Sequence, residues 1–191
     1  MSKSAKLVLI LLIATTILGC TRSVPRSYQN KSFGFSVNIP SDYEIKEYTF
    51  LKQQTGLELR RATGIIDIRA GGAGTMYKDM PFDEYVRIAA MAEIQNYERL
   101  VSIEAFISKS GVKGYQTYWE VIETIPPDEW EEGMEPRSEV VGPIYYFPPK
   151  GEHYIIKQPV KAVMFSHYAY PGGEKKTLQD LIRIVLSFKH I

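Results

Sequence analysis

The sequence predicts an α+β domain built on an antiparallel sheet. Segments with the alternation of strands occur in runs, and two segments carry a helical stripe, residues 81–97 and the stretch from Thr177 onward. Strands, one helix, more strands and a closing helix make an antiparallel α+β order, because a doubly wound fold alternates strand with helix throughout. At 191 residues the chain predicts one domain with a sizeable core.

The domain is preceded by a different kind of segment. Lys3 and Lys6 form a short positive region, and residues 7–18 (LVLILLIATTIL) are almost purely apolar. About a dozen apolar residues suit a signal peptide; a spanning helix needs roughly 20. Gly19 then precedes Cys20, the one cysteine of the chain. Ile17-Leu18-Gly19-Cys20 resembles the lipobox of bacterial lipoproteins, with Leu18 bulkier than the usual residue there. The resemblance implies cleavage before Cys20, a diacylglyceryl group on its thiol and an acylated amine. More than one chain is what stable anchoring requires. Residues 1–19 are therefore expected to be a signal peptide, 20–32 a lipidated cysteine and tether, and 33–191 the globular domain. A single cysteine provides no internal disulfide. Thr21, where an aspartate often marks inner-membrane retention, favours an outer membrane facing the periplasm if the source is Gram-negative. Loss of Lys3 and Lys6 takes the formal net charge from +1 to about −1, with no basic excess to suggest nucleic acid.

Residues 21–32 (TRSVPRSYQNKS) are polar and suit a tether; the sequon Asn30-Lys31-Ser32 is a chance match. Residues 32–40 (SFGFSVNIP) place Phe33, Phe35, Val37 and Ile39 on one face, a half-buried strand ended by Pro40. A second extended piece is expected over 43–50, and two strands joined by a tight turn over 57–61 and 64–70. GGAGT, residues 71–75, lacks both the Lys-Ser/Thr ending and the full glycine pattern of a phosphate loop, so it is expected to be a connection. Over 81–97, Phe82, Tyr85, Val86, Ala89, Ala90 and Ile94 share a helical face, with Pro81, Asp83 and Glu84 suited to its start.

Further strands are expected over 101–108, 115–125, 140–147 and 160–170. In the second, Tyr115, Thr117, Trp119 and Val121 oppose Gln116, Tyr118, Glu120 and Ile122. Gly142 and Pro143 assign the third to an edge. The fourth is apolar on both faces and is placed centrally, with residues 154–157 as a possible hairpin partner. Thr177 and Asp180 stand at capping-box spacing, ahead of a stripe of Leu178, Leu181, Ile182 and Val185.

Gly34-Phe35, Pro40 and Tyr43 at the start, GVKGYQTYWEVIE in the middle, and Ser187-Phe188-Lys189 after the last helix together resemble the PsbP-like superfamily. It includes an extrinsic subunit of the photosynthetic oxygen-evolving complex, a Ran-binding import factor and DcrB-type bacterial lipoproteins. Tyr43 stands where tryptophan is common. The resemblance covers residues 33–189. It implies an α/β/α sandwich, a central antiparallel sheet flanked by helices, and a non-catalytic, protein-binding role; no catalytic residue carries over.

Chemical signatures are sparse. His153, His167 and His190 are far apart, and no G-x-S-x-G elbow occurs. No cofactor is expected, and the sequence assigns no metal ligand. Residues 126–139 (PPDEWEEGMEPRSE) hold six carboxylates and Trp130. Three readings compete there: a solvated loop, a contact loop presenting Trp130, and a calcium site without regular ligand spacing. Tyr145 and Tyr146, in a Tyr-Tyr-Phe-Pro-Pro run, are the second candidate contact surface. The expected function is a lipid-anchored envelope module that binds a protein partner through Trp130, Tyr145 and Tyr146. The alternative is a binder of a small ligand or glycan through exposed aromatics. An enzyme would need converging titratable groups that the sequence does not display.

Overall fold

The computed structural model describes residues 24–50, 54–71, 77, 79–92, 98–122, 138–150 and 161–191. The expected leader, Cys20, residues 72–75, Ile94, Trp130 with most of its acidic stretch, His153 and residues 154–157 lie outside them.

Among the described residues, ten strands form two sheets. The small sheet has the order β1 (Arg26–Asn30), β2 (Phe35–Ile39), β10 (Lys189–His190). The main sheet has the order β3 (Glu44–Phe50), β4 (Gln54–Arg61), β5 (Gly64–Gly71), β9 (Ala162–Ala169), β8 (Ser138–Phe147), β7 (Lys113–Ile122), β6 (Glu98–Ile107), each neighbour antiparallel. The central place expected for the 160–170 strand is the one β9 occupies. Two helices, α1 (Phe82–Ala92) and α2 (Glu174–Leu186), complete the described elements.

Register divides the side chains between two layers. Ile66, Ile68, Phe165, Tyr145 and Phe147 point toward α2 and the small sheet, where Phe35, Val37, Leu181, Ile184, Val185 and Phe188 meet them. Phe188 is the hub: its ring stacks on Phe147 at 4.3 Å and on Phe35 at 5.5 Å, and stands edge-on to Phe165 at 6.0 Å. On the other face Tyr85 and Val86 of α1 pack on Tyr146 and Ala162, and the indole of Trp119 donates to the Ala90 carbonyl at 3.3 Å. Helices thus lie on opposite faces of the sheet, the α/β/α sandwich.

Several sequence expectations are corrected. The expected tether is partly a strand: Arg26–Asn30 pairs with β2, Arg26↔Ile39 through Asn30↔Phe35. Backbone pairing makes β1; its side chains stay largely exposed, so no apolar alternation marked it. Asn30, the sequon asparagine, closes the hairpin by accepting the Phe33 N–H at 3.0 Å, beside Gly34 at φ 64°. β8 is interior where Tyr145 and Tyr146 pair with both β7 and β9. Gly142 and Pro143 are accommodated in a register shift opposite Tyr118, on the stretch paired with β7 alone. The last helix starts at Glu174, so Thr177 and Asp180 are no capping box. Both are fully buried inside α2, and the Thr177 hydroxyl donates to the Thr63 carbonyl at 2.8 Å.

Candidate functional site

α1 packs on β6 and β7. α1 also reaches Ala162 and Met164 at one end of β9; on the same side of the sheet, β3, β4, most of β5 and the Ser166–Tyr168 end of β9 have no described helix over them. Three cross-strand rows lie there: Tyr48·Gly56·Arg69·Met164, then Lys46·Glu58·Asp67·Ser166, then Glu44·Arg60·Ile65·Tyr168. The Tyr48 ring lies over Gly56, where an added Cβ would collide with the ring. With the ring so placed, Arg69 Nε donates to the Tyr48 hydroxyl at 3.1 Å, and that hydroxyl donates to Asp67 Oδ1 at 3.2 Å. Arg69 Nη2 closes the triangle on Asp67 Oδ2 at 2.8 Å. Burial, and then the Asp67 charge, raise the Tyr48 pKa against the opposing pull of Arg69. The Arg60 guanidinium donates to Glu58 and holds that carboxyl below its usual range. Lys46, Tyr48, Glu58, Asp67 and Arg69 line a shallow hollow of about 250 Å³.

Chemically the face is polar and balanced in charge: Lys46, Arg60 and Arg69 stand against Glu44, Glu58 and Asp67. At its corner Tyr168 is 65 % exposed and stands edge-on to Tyr170 at 5.9 Å. A flat face offering arginine and tyrosine has the composition of a protein contact. Exposed ion pairs of this kind add little to folding stability.

A second concavity, of about 370 Å³, opens between the two sheets. Phe35, Leu57, Ile68 and Val163 supply apolar lining; at its rim the Tyr28 hydroxyl lies 3.4 Å from Glu47 Oε1. An apolar lining with a few polar groups suits a small ligand.

The buried titratable cluster has another task. Asp180 Oδ2 accepts from Arg61 at 2.7 Å and from the Tyr43 hydroxyl at 3.4 Å. Oδ1 accepts from Lys176 at 3.0 Å and lies 3.6 Å from Arg183. Arg61 also reaches Asp42 at 3.0 Å. Burial, then the Asp180 charge, push the Tyr43 phenol far up. Oδ2 fastens α2 to Arg61 at the end of β4 and to Tyr43, while Oδ1 is held by Lys176 and Arg183 of α2 itself.

The predicted contact residues Tyr145 and Tyr146 are corrected: they are 2 % and 0 % exposed. They sit where β8 is paired on both sides, so Tyr145 turns into the α2-side core and Tyr146 into the α1-side core. Burial, then Tyr118, push the Tyr145 hydroxyl up to about 12. Neither ring can reach a partner in the folded chain. Trp130 and Cys20 lie outside the described residues. His167 is half-buried and its pKa is lowered by that burial; His190 Nε2 lies 2.6 Å from the Pro148 carbonyl. Among the described residues no three His, Cys, Asp or Glu side chains converge as a metal site, and no helix is long and apolar enough to cross a membrane. Tyr48, Arg69 and Tyr168 were missed by sequence reasoning. The available signal was the alternation inside 160–170, where Val163 and Phe165 share one parity and Tyr168 has the other.

No protein-family model matches the sequence. No curated protein matches it. The structure is similar to the solution structure of cyanobacterial PsbP (CyanoP) from Synechocystis sp. PCC 6803. The TM-score is 0.50 at 10% identity, over 91% of this chain and 96% of that one. The fold is PsbP-like, as the three sequence motifs implied.

Proposed function

We propose that this PsbP-like fold serves as a lipid-anchored, extracytoplasmic interaction module that acts without chemistry of its own. The observation that carries the reading is the open half-sheet, a mixed-charge face with Tyr168 at its corner. Its Arg60, Arg69 and Tyr48 already have hydrogen-bond partners on the face, which reduces the side-chain entropy to be lost when a partner lands. The lipobox supports an anchor on Cys20, and the leader supports a bacterial envelope address. The partner is an envelope protein whose contact surface is itself polar and balanced in charge. A double variant, Tyr168→Ala with Arg60→Glu, tests the surface. The expected result is loss of a native-membrane complex on native gels with the melting temperature unchanged; an intact complex contradicts it. Cys20→Ser tests the anchor: an unprocessed or mislocalised precursor is expected, and normal lipid labelling of that variant contradicts it.

The second reading, a binder of a small ligand or glycan, draws on the cleft between the sheets. Tyr28→Ala would then abolish calorimetric binding of a sugar that the unaltered chain binds, and leave the membrane complex in place.

A further inference from the structure

A third concavity, of about 530 Å³, lies where the carboxyl end of α2 meets the end of β2 and the β6–β7 turn. Its lining joins apolar Pro25, Pro40 and Leu186 to the exposed cations Lys109, Arg183 and Lys189, and includes no carboxylate. The nearest acid contact is Asp180, buried and 3.6 Å from Arg183, already shared with Arg61 and Lys176. Lys109 and Lys189 make no ion pair among the described residues.

The cations are not the caps of the helix. The Leu186 carbonyl accepts the Lys109 N–H at 2.9 Å, the Ile184 carbonyl accepts the Ser187 hydroxyl at 2.6 Å, and the Phe188 carbonyl accepts the Ser110 hydroxyl at 2.6 Å. Backbone and hydroxyl donors therefore serve the chain end, and a helix dipole presents only about half a negative charge there. Three cations leave a positive surplus facing solvent.

The position of the groove says what it faces. Pro25 lines it, and Cys20 is five residues away in sequence. Five residues span at most about 18 Å, so a lipid on Cys20 keeps the groove within reach of the bilayer surface; the anionic field falls off within a Debye length of about 8 Å, so the cations feel it once the groove seats on that surface. We infer that this groove is a membrane-docking surface that seats on the anionic headgroups of phospholipids beside the anchor. The inference rests on the lipid-anchor reading of Cys20. Docking has a consequence for the proposed function. The groove belongs to the layer of α2 and the small sheet, and the Tyr168 face lies on the other side of the main sheet. A docked domain turns that face away from the bilayer, toward a partner.

The test is lysine-reactive footprinting of the full chain, reconstituted from detergent into vesicles of phosphatidylcholine alone or with about one third phosphatidylglycerol. Each cation near an anionic surface contributes roughly fivefold to the docked population. Labelling of Lys109 and Lys189 is therefore expected to fall several-fold on the anionic vesicles only and to recover in high salt, with Lys46 unchanged. Equal labelling on both vesicles overturns docking. Equal protection on both vesicles and in detergent also overturns it, since the groove is then filled from within the chain. Protection confined to native membranes overturns it in favour of a protein occupant. Intact mass of the same sample reports the anchor separately. If Cys20 carries no lipid, the anchor reading fails, and docking survives only if the chain still floats with anionic vesicles and not with neutral ones.

Discussion

The two sides of the main sheet use the same residue types for opposite ends. On the α2 side, Phe35, Phe147 and Phe165 close around Phe188, and every ring is buried. On the other side, over β3–β5 and β9, aromatic rings alternate with paired charges, and Tyr168 stands 65 % exposed. The difference is set by what covers each side. α2 and the small sheet bring apolar residues to the first, and no described helix covers most of the second. The described tyrosines therefore fall into two populations, those buried in the fold, such as Tyr43, Tyr145 and Tyr146, and those left exposed, such as Tyr168.

The strongest way to break this contrast is at the hub. Phe188→Ala removes a ring in contact with three others, and a loss of about 3–5 kcal/mol is expected in denaturant unfolding. A loss below about 1 kcal/mol would mean that the closing helix and its Phe188 are not the keystone of the α2 side. Asp180→Ala should rank second, at about 2 kcal/mol. That is less than the 3–5 typical of an orphaned buried charge, because Arg61 retains Asp42 at 3.0 Å.

How much of this contrast was legible depends on which force shaped each segment. The 160–170 strand declared its central place because both of its parities carry apolar residues: Val163 and Phe165 face α2, and Ala162 and Met164 pack under α1 at the covered end of the strand. Phe33, Phe35, Val37 and Ile39 marked β2 by alternation. β1 was illegible, since backbone pairing with β2 makes it a strand and its side chains, Tyr28 and Asn30 partly excepted, face water. The buried stripe of α2 was half legible: Leu181 and Val185 lie on it, but polar Thr177 and Asp180 share it because Thr63 and Arg61 satisfy them. Tyr145 and Tyr146 were misplaced for a topological reason. Period two assigns neighbours to opposite faces but does not say that both faces are covered. The open half-sheet was equally invisible, because its charges read as an ordinary solvated strand until the register put Tyr48, Asp67 and Arg69 in contact.

Smaller effects sharpen the comparison. His167, on the α2 side, is held by burial below its ordinary 6.5. A depressed histidine is protonated first in the unfolded chain. Its contribution is therefore intact above about pH 6.5 and shrinks as the pH falls toward its folded-state value. The melting temperature should drop between pH 7.5 and pH 5, and by less in His167→Gln; an identical drop in both would assign the acid sensitivity elsewhere. Tyr168→Ala should be the mildest, within about 0.5 kcal/mol of the unaltered chain, since nothing in the fold leans on an exposed ring. A larger loss would place Tyr168 among the structural tyrosines and remove it from the contact face.

The most direct measurement is lysine crosslinking of the chain in its own membrane, read residue by residue in a mass spectrometer. Lys46 lies in the middle row of the open half-sheet, on its edge strand β3, and is exposed. The account predicts a crosslink from Lys46 to one envelope protein, lost in Tyr168→Ala with Arg60→Glu. Lys46 free of any specific crosslink, while other lysines of the domain join a partner, would contradict the assignment of this face.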